Sequence, residues 1–364
     1  RQLFEQPTIA GLLSVAGATI IAAEQGTVTG TAPLTPIQHW FFEQNLVDPQ
    51  HYNQTVLLPV SPGIDDDRWV SVFNQLLNHH DALRLRFFRT DEGWAQTLAD
   101  PDWVSPFSRV DLSGVEPSQQ AAEVARRAAQ AQASLDLAPG PLLRAVLFDF
   151  GSPENAKLLI VIHHLIIDGV SWRILLEDLD TVCAQLDEPG RLVRLPPKTT
   201  AFTSWAEKLA AYADSANPAN SAVLREEAQY WLTALPSQAP PLPTDFPALP
   251  DANTAGSSRT VVVSLSTEET TRLLRDIART HQARIDETLL AAMALAFARW
   301  TGSGMLLVDL EGHGREALFD DVDLSRTVGW FTTLFPVALD VNDYTDPVTP
   351  DLALRHVKER LRAI

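Results

Sequence analysis

Cysteine, methionine and positive charge are all scarce in this chain of 364 residues: one Cys, two Met, and 28 Lys and Arg against 46 Asp and Glu. The single cysteine, Cys183, excludes an internal disulfide framework and a multi-cysteine zinc site. Nothing demands an oxidising compartment, so a cytoplasmic chain is expected. The formal net charge of −18 repels phosphate backbones and anionic lipid, which sets aside nucleic acid and membrane surfaces as partners. No glycine-rich string of the dinucleotide or P-loop type occurs, so no nucleotide cofactor is implied. Long hydrophobic runs are missing too: Ala10–Ala23 is apolar over 14 residues, against the roughly 20 that a spanning helix needs. Glu5 rather than a basic cluster precedes that run, which argues against a signal sequence, and the start at Arg1 reads as a fragment of something longer.

What is present is an ordinary globular composition, 45% hydrophobic and 20% charged, enough for two domains or one large two-lobed one. Glu24–Pro33 reads as a Gly/Thr-rich linker. Helical spacing of Trp69, Val72, Phe73, Leu76 and Leu77 predicts a helix over Asp66–His79. Alternation predicts a strand over Ala82–Phe88, and Thr90–Gly93 a turn into a second strand, Trp94–Leu98. Further helices are expected at Ser118–Leu135, Ser171–Leu186, Thr200–Ala213, Ser221–Leu235, Glu268–His281, Asp286–Trp300 and Asp351–Ile364. Strands are expected at Leu142–Phe150, Lys157–His164, Thr260–Leu265, Met305–Leu310 and Val328–Val341, with a Pro/Ala-rich loop at Ser237–Ser257. This interleaving, without a fixed-period repeat, predicts an α/β sandwich of two similar-sized lobes.

The segment densest in chemistry is Leu158–Leu179, where a buried strand runs into His163-His164, a turn at Asp168-Gly169 and a helix from near Ser171. Side chains alternate along a strand, so one histidine packs while the other points into a cleft. An imidazole with an ordinary pKa near 6.5 is largely neutral at cytoplasmic pH and can accept a proton. Asp168 can orient an imidazole or pair with an arginine, with Arg84, Arg86 and Arg315 as candidates, and Gly169 permits a backbone conformation that a Cβ would forbid. Ser171, at a helix start, reads as an N-cap rather than a nucleophile. Taken alone, two histidines at a strand end read more readily as satisfied structural residues. A zinc site is the weaker rival, since adjacent strand histidines diverge and no third ligand follows at metal-like spacing.

The string HHLIIDGVSW resembles the HHxxxDG signature of condensation and epimerisation domains of nonribosomal peptide synthetases, and the Val170-Ser171-Trp172 order is similar to the epimerisation version. Four more segments resemble epimerisation motifs in the same order: Leu34–Phe42 (LTPIQHWFF), His79–Phe87 (HHDALRLRF), Asp309–Glu316 (DLEGHGRE) and Asp323–Val337 (DLSRTVGWFTTLFPV). Leu3–Leu13 resembles the end of a peptidyl carrier protein, although the same residues also read as a short amphipathic helix.

The resemblance implies the two-lobed, chloramphenicol acetyltransferase-like α/β sandwich, a V-shaped pseudo-dimer, here with its C-terminal part truncated. Residues 1–23 would be the carrier tail, 24–33 a linker, 34–205 the N-terminal lobe and 206–364 an incomplete C-terminal lobe. It implies inversion of the α-carbon of an aminoacyl or peptidyl thioester on a carrier, with a downstream condensation domain as a further partner. The required prosthetic group is the carrier's 4'-phosphopantetheine, with no intrinsic cofactor and no metal. His164 and Glu311 are the implied proton-transfer groups, facing one another across a cleft. His163, Asp168, Gly169, Ser171, Trp172, Gly312, His313 and Arg315 support them, Gly312 and Gly314 leave the backbone open around His313, and Trp330-Phe331 forms core or cleft wall. Peptide-bond condensation, which would lack EGHGRE, and a non-catalytic docking scaffold are the alternatives.

Overall fold

The computed structural model describes residues 23–60, 64–100, 105–152, 155–186, 193–214, 218–234, 241–246, 254–341 and 349–364. The expected carrier tail, Leu3–Leu13 included, lies outside the described residues except for its last residue, Ala23. Contacts divide the chain into two units, one holding the described residues up to Ser221 together with Gly312–Thr333, the other Ala222–Glu311 and Leu334–Ile364. The stretch Gly312–Thr333, which sequence order alone assigned to the second lobe, therefore belongs with the first unit.

In the first unit a four-stranded sheet runs in the order β2 (Asn53–Val60), β7 (Asn155–His163), β6 (Leu143–Ser152), β5 (Phe107–Asp111). The β2–β7 and β7–β6 pairs are antiparallel, and β6–β5 is parallel. Pro59, which has no N–H for a ladder, sits in β2, an edge strand, as its chemistry requires. Leu159 and Val161 of β7 join Val146, Phe148, Leu112 and Ala131 in one apolar cluster, the last of these on α3 (Pro117–Gln132). The intervening Leu158, Ile160 and Ile162 are buried as well, so β7 is apolar on both faces and carries its C-terminal end deep into the unit.

The unit also holds a short helix, α1 (Pro36–Glu43), with Pro36 at its first position, where no N–H is needed. Helix α2 (Asp66–His79) buries the five apolar residues its spacing predicts. The Asp65 carboxylate accepts from the Arg68 N–H at 2.8 Å, and Asp66 and Asp67 sit at the positive end of the helix dipole. It packs beside α4 (Gly169–Leu186). The helix expected at Thr200–Ala213 is α5 (Phe202–Ala213), and the one expected at Ser221–Leu235 is α6 (Pro218–Ala234), which from Ala222 on belongs to the second unit. A smaller antiparallel sheet, β1 (Gly30–Ala32), β4 (Gly93–Leu98) and β3 (Leu85–Thr90), completes the sheet structure of the first unit. Part of the expected linker is thus a strand, because ladder bonding to β4 uses backbone groups and needs no side-chain pattern. Residues Asp81–Arg84 form a 3₁₀ turn rather than the start of β3. Arg84 is fully buried there, donating to the carbonyls of Leu77, Ala99 and Val28 and to Asp81 Oδ1.

In the second unit α9 (Ile285–Thr301) and α10 (Pro350–Arg362) pack together through Ala291, Ala294, Ala353, Leu354 and Val357, and the strands β8 (Met305–Gly312) and β9 (Thr333–Asp340) add Leu306, Val337 and Leu339. The small alanines let the helix backbones approach closely. The expected helix over Glu268–His281 is α7 (Thr267–Thr271) and α8 (Ala278–His281), joined by π-helical turns at Arg272–Ile277. The strand expected at Thr260–Leu265 is absent: Val261, Val262 and Val263 are 79–88% exposed and join no ladder. Intrinsic β-propensity yields a strand only where a neighbour supplies hydrogen bonds and a packing surface. The expected strand at Val328–Val341 shortens to β9, since its first residues are drawn into the site described next.

Candidate active site

β7 delivers His163 at its last residue, and the chain then turns through a 3₁₀ segment, His164–Ile166, into α4. His163 is completely buried. Its Nδ1 accepts from the Leu165 N–H at 3.1 Å, so Nε2 carries the proton and donates to the Pro49 carbonyl at 2.8 Å. Burial, together with the neighbouring His164, pushes its pKa down to about 4, against the pull of the Pro49 carbonyl. The Phe41 ring meets the imidazole in a T-shaped contact, 5.7 Å between centroids. This imidazole is neutral, with both ring nitrogens hydrogen-bonded.

The His164 ring lies between aromatic neighbours, stacked with Tyr52 at 5.4 Å and tilted against Trp330 at 4.5 Å between centroids. Its Nε2 is 2.8 Å from the amide nitrogen of Gln54, and the Oε1 of the same amide accepts from Trp172 Nε1 at 2.7 Å. Its backbone N–H donates to the Tyr52 carbonyl. Tyr52 and Gln54 flank the start of β2, a strand that the sequence pattern alone did not single out. Their signal was the β-branched, apolar run that follows, Thr55–Val60, on which a strand could have been placed beside the histidine strand.

Asp168 is the hub of the turn. One carboxylate oxygen accepts from the Ser171 N–H at 2.7 Å and the other from the Phe331 N–H at 3.1 Å. Asp168, not Ser171, is therefore the N-cap of α4: Ser171 sits three residues on and donates the N–H that the cap receives. Freed from capping, the Ser171 hydroxyl donates to the Gly329 carbonyl at 2.8 Å and accepts from the Gly329 N–H and from Arg315 Nη2. Gly169 does not adopt a left-handed conformation, and a Cβ there would meet nothing within 4 Å, so the expected backbone requirement is absent.

Of the three candidate arginines, Arg315 pairs with Asp168, at 3.4 Å. It also donates to the carbonyls of Leu324 and Thr327 at 2.8 Å and lies 4.0 Å over the Phe331 ring. Its burial weakens its hold on its proton somewhat, offset by Asp168. Arg84 is committed to Asp81, and Arg86 donates to the Leu85 carbonyl. Gly314 permits this arrangement: its φ is +65°, and a Cβ would stand 1.6 Å from the Phe331 oxygen. His313 is exposed, its Nδ1 accepting from the Arg315 N–H at 3.0 Å. Trp330 and Phe331 are both buried.

The structure thus gathers His163, His164, Asp168, Ser171, Trp172 and Arg315 into one network of the first unit. Glu311 belongs to the second unit, where it is exposed at the penultimate position of β8, followed by Gly312. Helix α1 contributes Gln38, fully buried, which accepts from the Thr35 N–H and donates to Gln96 and to the Leu165 carbonyl in the turn after the histidines.

Among the described residues, His79, His80 and Asp178 stand close enough together to hold a metal ion. Both Asp178 oxygens are already engaged, one with His80 at 3.0 Å and the other with Arg326, and Lys198 and Arg326 bring positive charge beside His79. That chemistry fits a buried ion-pair network better than a metal site. A cleft of about 680 Å³ lined by Leu58, Val60, Trp69, Leu179 and Cys183 contains none of the catalytic candidates.

No described helix is long and apolar enough to cross a membrane. The family model described as Condensation domain matches residues 28–364. The chain is 49% identical, over its whole length, to part of a linear gramicidin synthase polypeptide of Brevibacillus parabrevis, and 45% identical to part of chondramide synthase cmdD of Chondromyces crocatus. It spans only 4% and 9% of those proteins. The crystal structure of the epimerization domain from the third module of tyrocidine synthetase B is similar over 94% of this chain and 73% of that one, with a TM-score of 0.83 and 35% identity. The first condensation domain of the calcium-dependent antibiotic synthetase shares the fold, with a TM-score of 0.68 at 22% identity, covering 91% of this chain and 73% of that one. A mixed α/β fold of this kind, an HHxxxDG turn tied down by Asp168 and Arg315, and a family match over nearly the whole chain make it a member of the condensation-domain family of nonribosomal peptide synthetases.

Proposed function

We propose that this domain is an epimerase, inverting the α-carbon of an aminoacyl or peptidyl group held as a thioester on the phosphopantetheine arm of a carrier protein. The observation that carries this reading is the 35% identity to an epimerization domain across 94% of the chain, against 22% to a condensation domain of the same fold. The DLEGHGRE segment, with Glu311, supports it. A thioester acidifies the α-hydrogen, and inversion then needs one group to take a proton from one face and another to return one to the opposite face. His164 is the first such group and Glu311 the second. His163, Asp168, Ser171, Trp172 and Arg315 act by holding the turn that presents His164. Gly169 leaves open space beside that turn, and Gly312 and His313 form the lead into the Arg315 anchor. The carrier would act from upstream in the same polypeptide, with a condensation domain downstream receiving the D-configured product.

The test loads a carrier with an L-aminoacyl or peptidyl phosphopantetheine and incubates it with the domain in D₂O. Chirality and α-deuterium of the released acid are then measured, with His164→Ala and Glu311→Gln alongside. D-product with deuterium uptake, lost in both variants, is the expected result. Peptide formation with an acceptor carrier, without exchange, would replace this reading by condensation.

A further inference from the structure

We infer that residues 24–33 are a docked strap rather than a free linker, clamped by Asp81, Arg84 and Lys198, and that this strap fixes the point from which an upstream carrier delivers its arm to His164. The Gln25 side-chain amide donates to the Lys198 carbonyl and accepts from the Lys198 N–H, both at 3.0 Å, a ladder rung made by a side chain. The Lys198 ammonium donates to the Gly26 carbonyl at 2.8 Å and to Asp81 Oδ1 at 3.1 Å. The Val28 N–H donates to Asp81 Oδ1 at 3.4 Å, and the Val28 carbonyl accepts from Arg84 Nη2 at 2.8 Å. β1 then continues along β4, where Thr97 Oγ1 donates to the Gly30 carbonyl at 3.1 Å.

Gly26, Val28 and Gly30 stand two apart, the period at which an extended strand turns its backbone groups to one side. Ahead of β1 no neighbouring strand receives those groups, and charged side chains do so instead, in bonds stronger than neutral ones. Asp81, Arg84 and Lys198 are themselves largely buried, and Arg84 is paired with Asp81, so the clamp is part of the first unit. The far end of the strap is bonded towards the site. The Pro33 carbonyl accepts from Gln96 Nε2 at 2.6 Å, and Gln96 Oε1 accepts from Gln38 at 3.0 Å. Gln38 also donates to the carbonyl of Leu165, the residue after His164, at 3.4 Å. Both glutamines are fully buried, so the anchored strap and the histidine turn keep one spacing.

This deepens the proposed epimerisation and rests on a carrier placed upstream in the same polypeptide. The reach of such a carrier is counted from Ala23 instead of Pro33. The strap removes ten residues from that reach, about 33 Å of extended chain. Effective concentration falls roughly as the −3/2 power of tether length once a tether exceeds its span, so a docked strap keeps the arm near His164 without adding a contact to the substrate.

The experiment uses the full chain, with a loaded carrier either joined ahead of Arg1 or supplied separately. Gln25→Ala, Lys198→Met and Val28→Pro together release the strap and leave Asp81 paired with Arg84. A ten-residue Gly/Ser insertion ahead of Glu24 lengthens the tether without touching the clamp, and serves if the release variant folds poorly. A spin label on the exposed Thr27, as Thr27→Cys in a Cys183→Ala background, is expected to be immobile in the docked strap and mobile after release. The distance from a carrier label to one on the exposed Asp91 should lengthen on release and on insertion. Deuterium exchange with the joined carrier should fall about two- to threefold in both variants, with the separate carrier's rate unchanged. A mobile Thr27 label before release, an unchanged rate with the joined carrier, or an equal loss in both formats overturns the inference. If the clamped chain exchanges no α-hydrogen in either format, the epimerase reading fails. The label mobility and the distance then decide the strap alone, and a distance that release leaves unchanged overturns it.

Discussion

Substituting Asp168 by Asn tests whether the buried charge, rather than shape alone, holds the histidine turn in place. The Asp168 and Arg315 side chains are 6% and 8% exposed, and their separation of 3.4 Å exceeds an ideal charge-assisted bond. Asn is nearly isosteric but offers one acceptor oxygen where the carboxylate serves the Ser171 N–H with one and the Phe331 N–H with the other. It also leaves the Arg315 guanidinium buried with only its carbonyl and hydroxyl partners. Breaking a buried pair by removing one member costs about 3–5 kcal/mol. The two 2.8 Å carbonyl bonds that Arg315 keeps place the expected cost of Asp168→Asn near the lower end, about 3 kcal/mol. Arg315→Met in the same background should reveal a coupling of about 2 kcal/mol in a double-mutant cycle. Urea unfolding gives the energies, and native-state hydrogen exchange gives the location. The Phe331 amide should lose protection in Asp168→Asn while amides in the middle of β7 keep theirs. A coupling below about 0.5 kcal/mol would refute the reasoning, because Ser171 and the carbonyls would then hold Arg315 without help from the opposite charge.

Acidification should weaken the first unit through His163, whose folded pKa of about 4 lies below its ordinary 6.5. The unfolded chain takes up a proton that the folded one refuses, so stability is full above pH 6.5, falls as pH drops towards 4, and then levels off. Between pH 7 and pH 5 this amounts to about 2 kcal/mol, read as the difference between the unsubstituted chain and His163→Gln in urea unfolding at both values; equal pH slopes would rule it out. His79, also held down to about 4, first by burial and then by His80, acts in the same direction in both proteins. Gly314→Ala should destabilise by about 2 kcal/mol or more, through a left-handed φ compounded by the clash with the Phe331 oxygen, and an unchanged melting temperature would contradict the turn described. Gly169→Ala should leave the melting temperature unchanged or raise stability by up to about 1 kcal/mol, since the new methyl meets open space in a helical first turn. A large loss there would restore the backbone requirement that the structure removes.

The sequence by itself determined most of the local elements. The apolar spacing of α2, the doubly apolar β7 and the turn formers between strands follow from side-chain period and backbone propensity, which act over a few residues. HHLIIDGVSW placed both histidines at a strand end ahead of a helix, and they are there. The fold class was legible for the same reason, since the order of elements and motifs is a linear property. What only the tertiary structure decided are contacts between residues far apart in the chain. Arg315 rather than Arg84 or Arg86 meets Asp168 because a segment from beyond residue 311 packs into the first unit, which no local period encodes. That same docking takes the Ser171 hydroxyl to Gly329 and leaves the cap to Asp168. Gln54 reaches His164 across a strand pair whose register is fixed by the whole sheet. Thr260–Leu265, strand-like in composition, forms no ladder among the described residues, because a strand is a property of two segments and a sequence window holds one.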